Sequence, residues 1–409
     1  MIADSNLLVG SSVLVLAPEL PWPPRDGGRI VLDQLLGLLV SLGCRLSIAA
    51  FAPTAGLHDK PAVPILLANS IDEIVLVELT TRRVAVNTLK GVLARLPVKF
   101  AKYADPRFLA SVSALLDRRS FDFVIADHLH LASLLPLAKI RRIPTVLRQH
   151  NVESRIASRF LDRSFGSFGR LTGEGRRYQE YESRTVADAT LTLAISDTDA
   201  AELRRSAAKA QVGTLSPYVE IRSETPLPTG DPFVLFLGSL DWAPNIESVT
   251  FLARDIMPIL RADWPGARCR VVGKGPSRTL ERVLARAGVE LYADVPDVGA
   301  FLVPWATLVV PLFVGSGVRI KILQAMAHRV PVVTSAIGIE GLPCRDREHV
   351  LLAEHAEDFA AAVHSIWSEP QLATSLTEAS SAIVARHFSR ETSLRQLAHH
   401  LAGMLYTST

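Results

Sequence analysis

The sequence predicts two α/β domains, each built on a doubly wound parallel sheet, that face each other across a cleft. Three observations support this fold class. The chain has 409 residues, more than a single core usually organises. Short apolar runs alternate with helical patterns along nearly the whole chain, which is typical of βαβ units. The alternation is interrupted at 216–231, where three prolines occur, and we interpret this segment as the linker between the domains.

The first half of the chain predicts strands that are short and apolar, as a buried parallel sheet requires. They lie at 12–17, 45–51, 74–78, 123–126, 145–148 and 190–195. Between them, the helical spacing of apolar residues predicts helices at 27–42, 107–118, 128–138 and 168–187.

The second half repeats this pattern after the linker. Strands are predicted at 233–238, 269–272, 289–292, 307–311 and 331–334. Asn245 is predicted to cap a helix that runs to about residue 260, with Glu247 in its first turn. Further helices are predicted at 277–287, 297–304, 318–328, 356–368, 370–386 and 391–406.

The composition excludes several classes of protein. A hydrophobic content of 48% and a charged content of 21% indicate a packed globular chain. A net charge of +3 over this length gives no indication of nucleic acid as a partner. Three widely separated cysteines argue against a disulfide framework or a zinc site, and fit a reducing cytoplasm. The apolar run at 13–17 is interpreted as a strand and not a signal peptide, and no longer apolar run predicts a membrane span.

The segment 310–342 carries the strongest functional signal. A buried strand leads into a glycine-containing loop at 315–317, and the helix that follows opens with Arg319 and Lys321. Such a loop presents free backbone N–H groups and the positive end of a helix dipole, and the two cations add full charges. We therefore expect a phosphate or diphosphate at the C-terminal edge of this sheet. The alternative is an ordinary βαβ unit whose surface cations are only solvated.

A histidine at the end of a predicted strand indicates a second ligand site. His150 follows the strand at 145–148, at the sheet edge where α/β proteins bind ligands. Its neighbours Arg148, Asn151 and Glu153 are polar, which makes a core histidine a poorer interpretation. His150 could hydrogen-bond a sugar hydroxyl or a reacting group.

Asp127, His128 and His130 follow the strand predicted at 123–126. Two interpretations are open. These residues line the same edge as His150, or Asp127 caps a helix and the two histidines are exposed.

Two glycine pairs follow predicted strands. Gly27 and Gly28 open a helix, where backbone N–H groups could approach a ligand or glycine could serve a tight turn. Gly273 and Gly275 flank Lys274 in a small loop that is a weak signal alone. The chain contains no G-x-S-x-G motif and no clustered metal ligands, so we expect neither a bound metal nor a cofactor.

Two stretches are rich in cations. The segment 82–107 carries seven cations against one acid, with apolar residues between them, and the segment 155–184 carries seven arginines and four acids. A basic amphipathic stretch can lie on an anionic membrane surface. The alternative for both stretches is a solvated face or a lid. The first is the better candidate for membrane contact, which would place a cytoplasmic protein at the inner face of the cell membrane.

Six motifs occur in order along the chain: P-P-R-D-G-G-R, H-N-V-E, F-L-G-S-L-D-W-A-P-N, V-V-G-K-G, D-V-P-D-V and the segment 310–342. With these motifs the chain resembles glycosyltransferase family 4, retaining enzymes of the GT-B fold that use nucleotide-sugar donors. The resemblance implies an acceptor-side Rossmann-like domain at 1–220, completed by a C-terminal helix at about 388–409, and a donor-binding domain at 221–387. It also implies a polysaccharide, lipid-linked or small-molecule acceptor and a role in polysaccharide biosynthesis.

The resemblance assigns a role to each candidate residue. His150 matches a histidine near the transferred sugar, and Arg319 and Lys321 match cations that face the diphosphate in place of a metal. These three would be catalytic. The residues that would contact the donor are Gly27, Gly28, Gly238, Gly273, Gly315, Ser316, Gly317, Gln324 and Glu340.

The chain departs from the family pattern at two positions. Ser316 and Gln324 stand where such enzymes commonly carry two glutamates eight residues apart. Losing the second carboxylate removes a charge-assisted hydrogen bond to the nucleotide ribose, which costs on the order of 1–3 kcal/mol. Glu340, on the next loop, could supply a carboxylate or be a surface acid. The departure keeps open a second function, a nucleotide-binding scaffold with little or no turnover. A third, a sugar-nucleotide epimerase, fits the H-N-V-E and R-I-K segments less well.

Overall fold

The computed structural model describes residues 8–53, 63–94, 96–171, 173–221 and 230–407. Contacts divide the chain into two compact units. Unit 1 comprises the chain up to Pro24, Gly28–Ser216 and the C-terminal part from Ser393, and unit 2 comprises Arg25–Gly27 and Pro217–Thr392. Most of the predicted linker, 222–229, lies outside the described residues.

Unit 1 is built on a parallel sheet. Its strands are β1 (Ser12–Ala17), β2 (Arg45–Ala52), β3 (Ile71–Glu78), β4 (Phe123–Asp127), β5 (Thr145–Gln149), β6 (Leu191–Ala194) and β7 (Val212–Thr214). They form a seven-stranded sheet in the order β3-β2-β1-β4-β5-β6-β7. All neighbouring strands are parallel. The chain reverses its direction of travel across the sheet between β1 and β4, and ligand crevices form beside such a reversal.

The helices of unit 1 lie between these strands and after unit 2. They are α1 (Gly27–Ser41), α2 (Ile65–Ala68), α3 (Thr81–Leu93), α4 (Val98–Ala101), α5 (Pro106–Arg118), α6 (Leu135–Ile140), α7 (Glu153–Leu171), α8 (Glu174–Asp188) and α9 (Asp197–Ser206). The last helix of the chain, Arg390–Thr407, returns to unit 1 from Ser393 onward.

Unit 2 repeats the architecture with a smaller sheet. Its strands are β8 (Phe233–Leu237), β9 (Arg268–Gly273), β10 (Glu290–Ala293), β11 (Ala306–Val310), β12 (Val332–Thr334) and β13 (Leu351–Leu352). They form a six-stranded sheet in the order β10-β9-β8-β11-β12-β13. Its helices are α10 (Ala243–Phe251), α11 (Met257–Asp263), α12 (Arg278–Arg286), α13 (Ile320–Ala327), α14 (Ala356–Ser368) and α15 (Pro370–His387), and the chain ends with α16 (Arg390–Thr407).

Each unit encloses its own hydrophobic core between sheet and helices. In unit 1, strand residues such as Leu14 and Val124 pack with Phe108 and Leu115 of α5. In unit 2, strand residues such as Val234 and Val271 pack with helical residues such as Leu252 and Phe359. The strands are apolar on both faces because helices cover both sides of a parallel sheet. The predicted class of two doubly wound α/β domains is confirmed.

Two predicted helices in unit 1 have different bounds. The helix predicted at 168–187 is two helices, α7 and α8, separated by Gly173 with φ +67°. This left-handed conformation suits glycine and ends a helix. The helix predicted at 128–138 is a 3-10 turn, Leu129–Leu134, followed by α6.

Two predictions in unit 2 are wrong in detail. The helix at 243 begins before Asn245, with Trp242 as the N-cap and Pro244 in its first turn, so Asn245 is not a cap and Glu247 lies beyond the first turn. After this helix comes a π-turn, Leu252–Ile256, and then α11, which begins at Met257. Pro258 lies in the first turn of α11 and has no N–H to donate to the preceding turn.

The helix predicted at 297–304 is only a 3-10 turn, Gly299–Phe301. The Asp297 carboxylate accepts a hydrogen bond of 2.7 Å from the Gly299 N–H, which is a local alternative to helix formation. Among the described helices of both units, none combines the length and apolar character needed to cross a bilayer.

Candidate active site

In unit 2, loops from neighbouring strands join at the carboxyl edge of the sheet. The Leu240 N–H after β8 donates to the Lys274 carbonyl after β9, at 2.7 Å. The Ser335 hydroxyl after β12 donates to the Leu312 carbonyl after β11, at 2.6 Å. Because β8 lies between β9 and β11, this edge is the place where the doubly wound fold opens a crevice.

Lys321 is the charged centre of this edge. It lies in the first turn of α13, and its Nζ donates to Asn245 Oδ1 at 2.9 Å. The same ammonium group lies 4.5 Å from the ring centroid of Phe236, a cation–π contact. Burial, and secondarily the positive charge of Arg319, lowers the pKa of Lys321 to about 7. Without a ligand, the ammonium group is therefore close to losing its proton at neutral pH.

Arg319 braces the glycine loop. The residue is 7% exposed, and its Nη1 donates to the carbonyls of Ser316 and, at 2.8 Å, Gly317. Gly317 has φ +78°, a conformation that disfavours any side chain, and a Cβ at Gly315 would lie 2.3 Å from Arg319 Nη2. Gly317 is thus favoured by its backbone conformation, and a side chain at Gly315 would displace the guanidinium group of Arg319. The charge of Arg319 is held inside the loop, whereas we expected it to face the ligand directly.

Gly238 and Gly273 allow backbone segments to approach closely. A Cβ at Gly238 would lie 2.7 Å from Asn245 Nδ2 and 3.0 Å from Lys321 Nζ. A Cβ at Gly273 would lie 2.1 Å from the Gly238 carbonyl oxygen. Gly238 therefore keeps room for the Asn245–Lys321 pair, and Gly273 keeps room for the backbone of Gly238.

The remaining predicted residues of unit 2 lie on the same loops and on α13. Ser316 is 1% exposed, inside the glycine loop. Gln324 lies on α13, one turn beyond Lys321, and is half-buried. Glu340 directly follows a 3-10 turn, Ala336–Ile339, and is also half-buried. The Arg319 Nη2 lies 3.5 Å from the carbonyl of Ile337 in that turn, which connects the two loops.

In unit 1, the carboxyl ends of β4 and β5 bring together Asp127, His128 and His150. Asp127 is 0% exposed, and its Oδ1 lies 2.8 Å from His150 Nε2 while its Oδ2 lies 2.9 Å from His128 Nδ1. The two imidazole rings stack, with centroids 3.6 Å apart. Of the two interpretations of Asp127, the structure supports a shared edge with His150. The side chains of His128 and His130 are 18% and 10% exposed, and Asp127 does not cap a helix.

A buried arginine accompanies this group. Arg148, paired with Asp127 across β4 and β5, is 2% exposed, and its Nε lies 4.0 Å from Asp127 Oδ1. Burial lowers the pKa of Arg148 to about 10, which still leaves the guanidinium group charged at neutral pH. Burial also lowers the pKa of His150 to about 4, although Asp127 acts in the opposite direction. The carboxylate therefore faces one permanent cation and a neutral His150.

Oxygen and nitrogen atoms of Asp127, His128 and His150 lie within 4.8 Å of one another, a donor set that a transition-metal ion also uses. Both carboxylate oxygens are, however, within hydrogen-bond distance of an imidazole nitrogen, and Arg148 supplies a positive charge beside them. The hydrogen bonds of the carboxylate are thus satisfied by the two histidines, whereas the buried Nε and Nη1 of Arg148 have no hydrogen-bond partner among the described residues. The metal-free prediction stays a prediction.

His130 extends the ring stack toward α4. Its ring centroid lies 5.2 Å from those of both His128 and Tyr103, with interplanar angles of 11° and 18°. Neither ring nitrogen of His130 has a hydrogen-bond partner among the described residues. Burial lowers its pKa well below the ordinary value, so this histidine is neutral.

The start of α7 is fixed by a buried carboxylate. Glu182 of α8 accepts from the backbone N–H groups of Glu153 and Ser154, at 2.9 and 3.2 Å. Glu153 in turn binds Lys99 Nζ with both oxygens, at 3.0 and 2.8 Å. Burial raises the pKa of Glu182 to about 6, against the lowering effect of these hydrogen bonds. The H-N-V-E segment is thereby anchored at Glu153 as well as at His150.

Gly27 and Gly28 open α1 with no positive φ. A Cβ at Gly27 would meet no atom closer than 3.8 Å, so local crowding does not require glycine there.

The two cationic stretches differ in their surroundings: in one, arginines form ion pairs, and in the other, a helix exposes apolar side chains beside the cations. In 155–184, Arg155 pairs with Asp199 at 3.4 Å, and Arg176 pairs with Glu180 at 2.6 Å. In 82–107, helix α3 exposes apolar side chains beside its cations: Val86, Leu89 and Leu93 are 45%, 64% and 77% exposed. Arg95 of this stretch lies outside the described residues.

Two family models match the chain. A glycosyl transferase 4-like domain matches residues 26–218, and a model described as glycosyl transferases group 1 matches residues 231–369. No curated protein sequence matches.

Solved structures share the fold. Sucrose-phosphate synthase from Thermosynechococcus elongatus is similar with a TM-score of 0.76 and 16% identity, over 98% of this chain and 100% of that chain. S. aureus TarM, solved with fondaparinux, α-GlcNAc-glycerol and UDP, has a TM-score of 0.71 and 11% identity, over 96% and 99%. Anabaena HepE, solved with UDP-glucose, has a TM-score of 0.67 and 14% identity, over 96% and 99%. Identities this low establish the fold and nothing finer.

The fold and the two family models together define the class: a glycosyltransferase of the GT-B fold, with two Rossmann-like domains. The two family models cover most of the chain in the order of its units, and the chain therefore belongs to the glycosyltransferases of the family 4 type.

Sequence reasoning missed several residues of these sites. Asn245, which is predicted to cap a helix, is the hydrogen-bond partner of Lys321, and Phe236, which is predicted only as a strand residue, contacts the Lys321 ammonium group. Glu182 and Lys99, which anchor α7, carry no local signal because they are 29 and 54 residues from Glu153. The motif F-L-G-S-L-D-W-A-P-N contains both Phe236 and Asn245. The sequence therefore indicates the importance of this segment, but not that these two residues contact Lys321.

Proposed function

We propose that this glycosyltransferase is a retaining enzyme that transfers a hexosyl group from a nucleotide-sugar to a saccharide, lipid-linked or small-molecule acceptor without a metal ion. The observation that carries the proposal is the position of Lys321. Its ammonium group lies at the start of α13, beside the glycine loop that Arg319 braces, and Asn245 fixes its direction.

The chemistry of the donor favours such a site. As the glycosidic bond breaks, the leaving nucleoside diphosphate gains negative charge. A positioned ammonium group and the N-terminus of a helix stabilise that charge without reorganising. In the metal-free mechanism, Lys321 and the α13 terminus take the part that a divalent cation plays elsewhere. HepE and TarM were solved with UDP-glucose and UDP, which supports uridine nucleotides as the first donors to test.

The acceptor side of the proposal rests on the polar edge of unit 1. His150 lies at the end of β5, held by Asp127 and stacked on the His128 ring, and an imidazole can exchange hydrogen bonds with sugar hydroxyls. The aromatic faces of Tyr103 and His130 add an apolar surface next to it.

We also propose that α3 contacts the anionic inner face of the cell membrane. This contact would bring a lipid-linked acceptor for polysaccharide biosynthesis within reach. The helix packs against the unit through Asn87 and Gly91 and turns Val86, Leu89 and Leu93 to the outside, beside Arg82 and Lys90. An exposed apolar ridge with flanking cations suits an anionic bilayer surface.

Nucleotide binding by the Lys321→Ala variant tests the donor site. Loss of one charge-assisted hydrogen bond should weaken calorimetric affinity for UDP about tenfold to a hundredfold. Arg286→Ala, which removes an exposed cation at the end of α12 in the same unit, is the matched control and should bind normally. Equal affinity in all three proteins would contradict the assignment.

The metal-free mechanism has a simple test. Transfer or hydrolysis of a UDP-sugar should continue in excess EDTA. Activity that EDTA abolishes and magnesium restores would overturn it.

The second candidate function, a nucleotide-binding scaffold, is favoured by Gln324. A carboxylate accepts hydrogen bonds from both ribose hydroxyls, whereas an amide offers one acceptor and one donor. If the wild-type chain and the Gln324→Glu variant both bind nucleotide and neither turns over any sugar donor, the scaffold is the better description. Turnover in the wild type, raised by the substitution, supports the enzyme.

A further inference from the structure

The Asp127 carboxylate lies between two histidines in unit 1. It is 0% exposed at the end of β4, and each of its oxygens contacts a different histidine: His150 Nε2 at 2.8 Å and His128 Nδ1 at 2.9 Å. Buried carboxylates are stable only when paired or hydrogen-bonded. Asp127 meets both conditions, since Arg148 lies 4.0 Å away and is itself 2% exposed.

The charges in this cluster determine where the protons lie. Asp127 and Arg148 are opposite and adjacent, so together they are neutral. Burial would raise the pKa of Asp127, but the interactions of the carboxylate with His150 and His128 outweigh it and hold this pKa below its ordinary value. Burial keeps His150 neutral near neutral pH, with a pKa of about 4. A neutral imidazole carries one hydrogen, and the nitrogen that faces a carboxylate must be the one that carries it.

We propose that Asp127 is a positioning residue that holds His150 in the Nε2–H tautomer and fixes its ring, so that Nδ1 is the hydrogen-bond acceptor of the site. His128 supports the arrangement from the other side, because its ring stacks on His150 at 3.6 Å and its Nδ1 engages the second carboxylate oxygen. An acceptor nitrogen at this position receives the O–H of a sugar hydroxyl; this part rests on the proposed function.

The tautomer gives a direct readout that does not need activity. In long-range ¹H–¹⁵N spectra of the full chain near neutral pH, the His150 signals are assigned by their absence from a His150→Gln variant. The wild type should show Nε2 protonated and Nδ1 unprotonated. In Asp127→Asn, the amide can accept or donate, so the single tautomer should give way to a mixture or to the Nδ1–H form.

The kinetic readout uses UDP-glucose as the probe donor. Asp127→Asn should lower turnover of UDP-glucose at least tenfold while KM changes by less than about threefold, because a misoriented imidazole affects the reacting geometry more than donor binding. Since the asparagine leaves Arg148 uncompensated, the double variant Asp127→Asn/Arg148→Met, which removes both charges, covers the case in which the single variant does not fold. His128→Gln keeps the Asp127–His150 contact and should preserve the His150 tautomer.

Two results overturn the proposal: an Nδ1-protonated or charged His150 in the wild type, or an Asp127→Asn variant in which tautomer and turnover are both unchanged. Absence of UDP-glucose turnover in a wild type with the expected tautomer bears on the proposed function and leaves the positioning role of Asp127 supported.

Discussion

Lys321 concentrates the electrostatics of unit 2 in a single ammonium group. It is held by Asn245 at 2.9 Å and by the face of Phe236, while Arg319 adds a second positive charge in the same loop. Burial, more than the neighbouring cation, lowers its pKa to about 7. If the proposed diphosphate binds beside Lys321, its negative charge should raise this pKa and restore the proton.

Nucleotide affinity should for that reason depend on pH. Above about 7 the ligand-free Lys321 is neutral, and binding a diphosphate takes up a proton, so affinity for UDP should fall up to about tenfold for each pH unit. Below this pH the ammonium group is already charged, and its contribution is constant. Calorimetry in buffers of different ionisation enthalpy measures both the affinity and the proton uptake.

Lys321→Arg is the matched control for this prediction. A guanidinium group stays charged throughout the accessible range, so the variant should bind UDP with little pH dependence above 7 and without proton uptake. A wild type that behaves in the same way would contradict the low pKa of Lys321.

The sequence predicts those site residues whose signal is local, and it does not predict residues that contact the site from distant parts of the chain. His150, Arg319 and Lys321 stand beside strand ends and glycines, so local pattern is enough to find them, although it does not test their roles. Partners such as Asn245, 76 residues from Lys321, are defined only by the folded loops. Arg319 shows what local pattern cannot predict. The sequence places a cation after the glycine loop, but only the folded structure shows that its guanidinium group points toward the carbonyls of that loop.

At the scale of elements, the amphipathic pattern of α3 is inverted: polar and small residues face the unit, and apolar residues face outward. Its inner face carries Asn87, which donates to the Lys102 carbonyl and to Asp105, and Gly91, where a Cβ would lie 2.4 Å from Ala101 Cβ. Its outer face carries Leu89 and Leu93 at 64% and 77% exposure. A helix that hides polar and small residues and exposes leucines is suited to contact an apolar surface.

Binding to vesicles tests this inversion. Vesicles containing phosphatidylglycerol should retain the wild type in a sedimentation assay, and Leu89→Glu/Leu93→Glu should release it, because two carboxylates oppose both apolar insertion and charge attraction. Ile65→Glu is the control: Ile65 is 89% exposed on α2, at the opposite end of β3, and should not affect binding. Wild-type protein that remains in the supernatant, or equal release by both changes, would exclude α3 as the contact.

The strands were more predictable than the helices. A strand in a covered parallel sheet is a short apolar run, and runs such as 12–17 and 233–238 reveal it directly. Helix bounds depend on single residues: Gly173, with φ +67°, divides α7 from α8, and Pro258 follows the π-turn after α10. The strands β7 and β13 are not predicted, because V-G-T in β7 holds a single apolar residue and β13 is only two residues long.

At the scale of the whole molecule, the chain completes unit 1 with its last helix, after all of unit 2. α16 places Leu397 and Leu401 at 0% exposure, and the His400 ring lies 3.1 Å from the Thr214 carbonyl of β7. His400 occupies the space beside Gly213, where a Cβ would lie 2.4 Å from the ring. Residues far apart in sequence are thus required for one core, whereas unit 2 has a core of its own.

Leu401→Ala should therefore destabilise unit 1 and spare the nucleotide site of unit 2. Truncation of a buried leucine costs about 2–5 kcal/mol, a large share of the stability of a typical domain. Calorimetric unfolding should show one transition moved to lower temperature and a second that still shifts upward with UDP. Gly403→Ala, on the same helix where a Cβ meets nothing within 4 Å, should leave the first transition unchanged or raise it slightly, since alanine favours helix. A loss of UDP affinity in Leu401→Ala equal to its loss of stability would mean that the two units do not unfold as separate bodies.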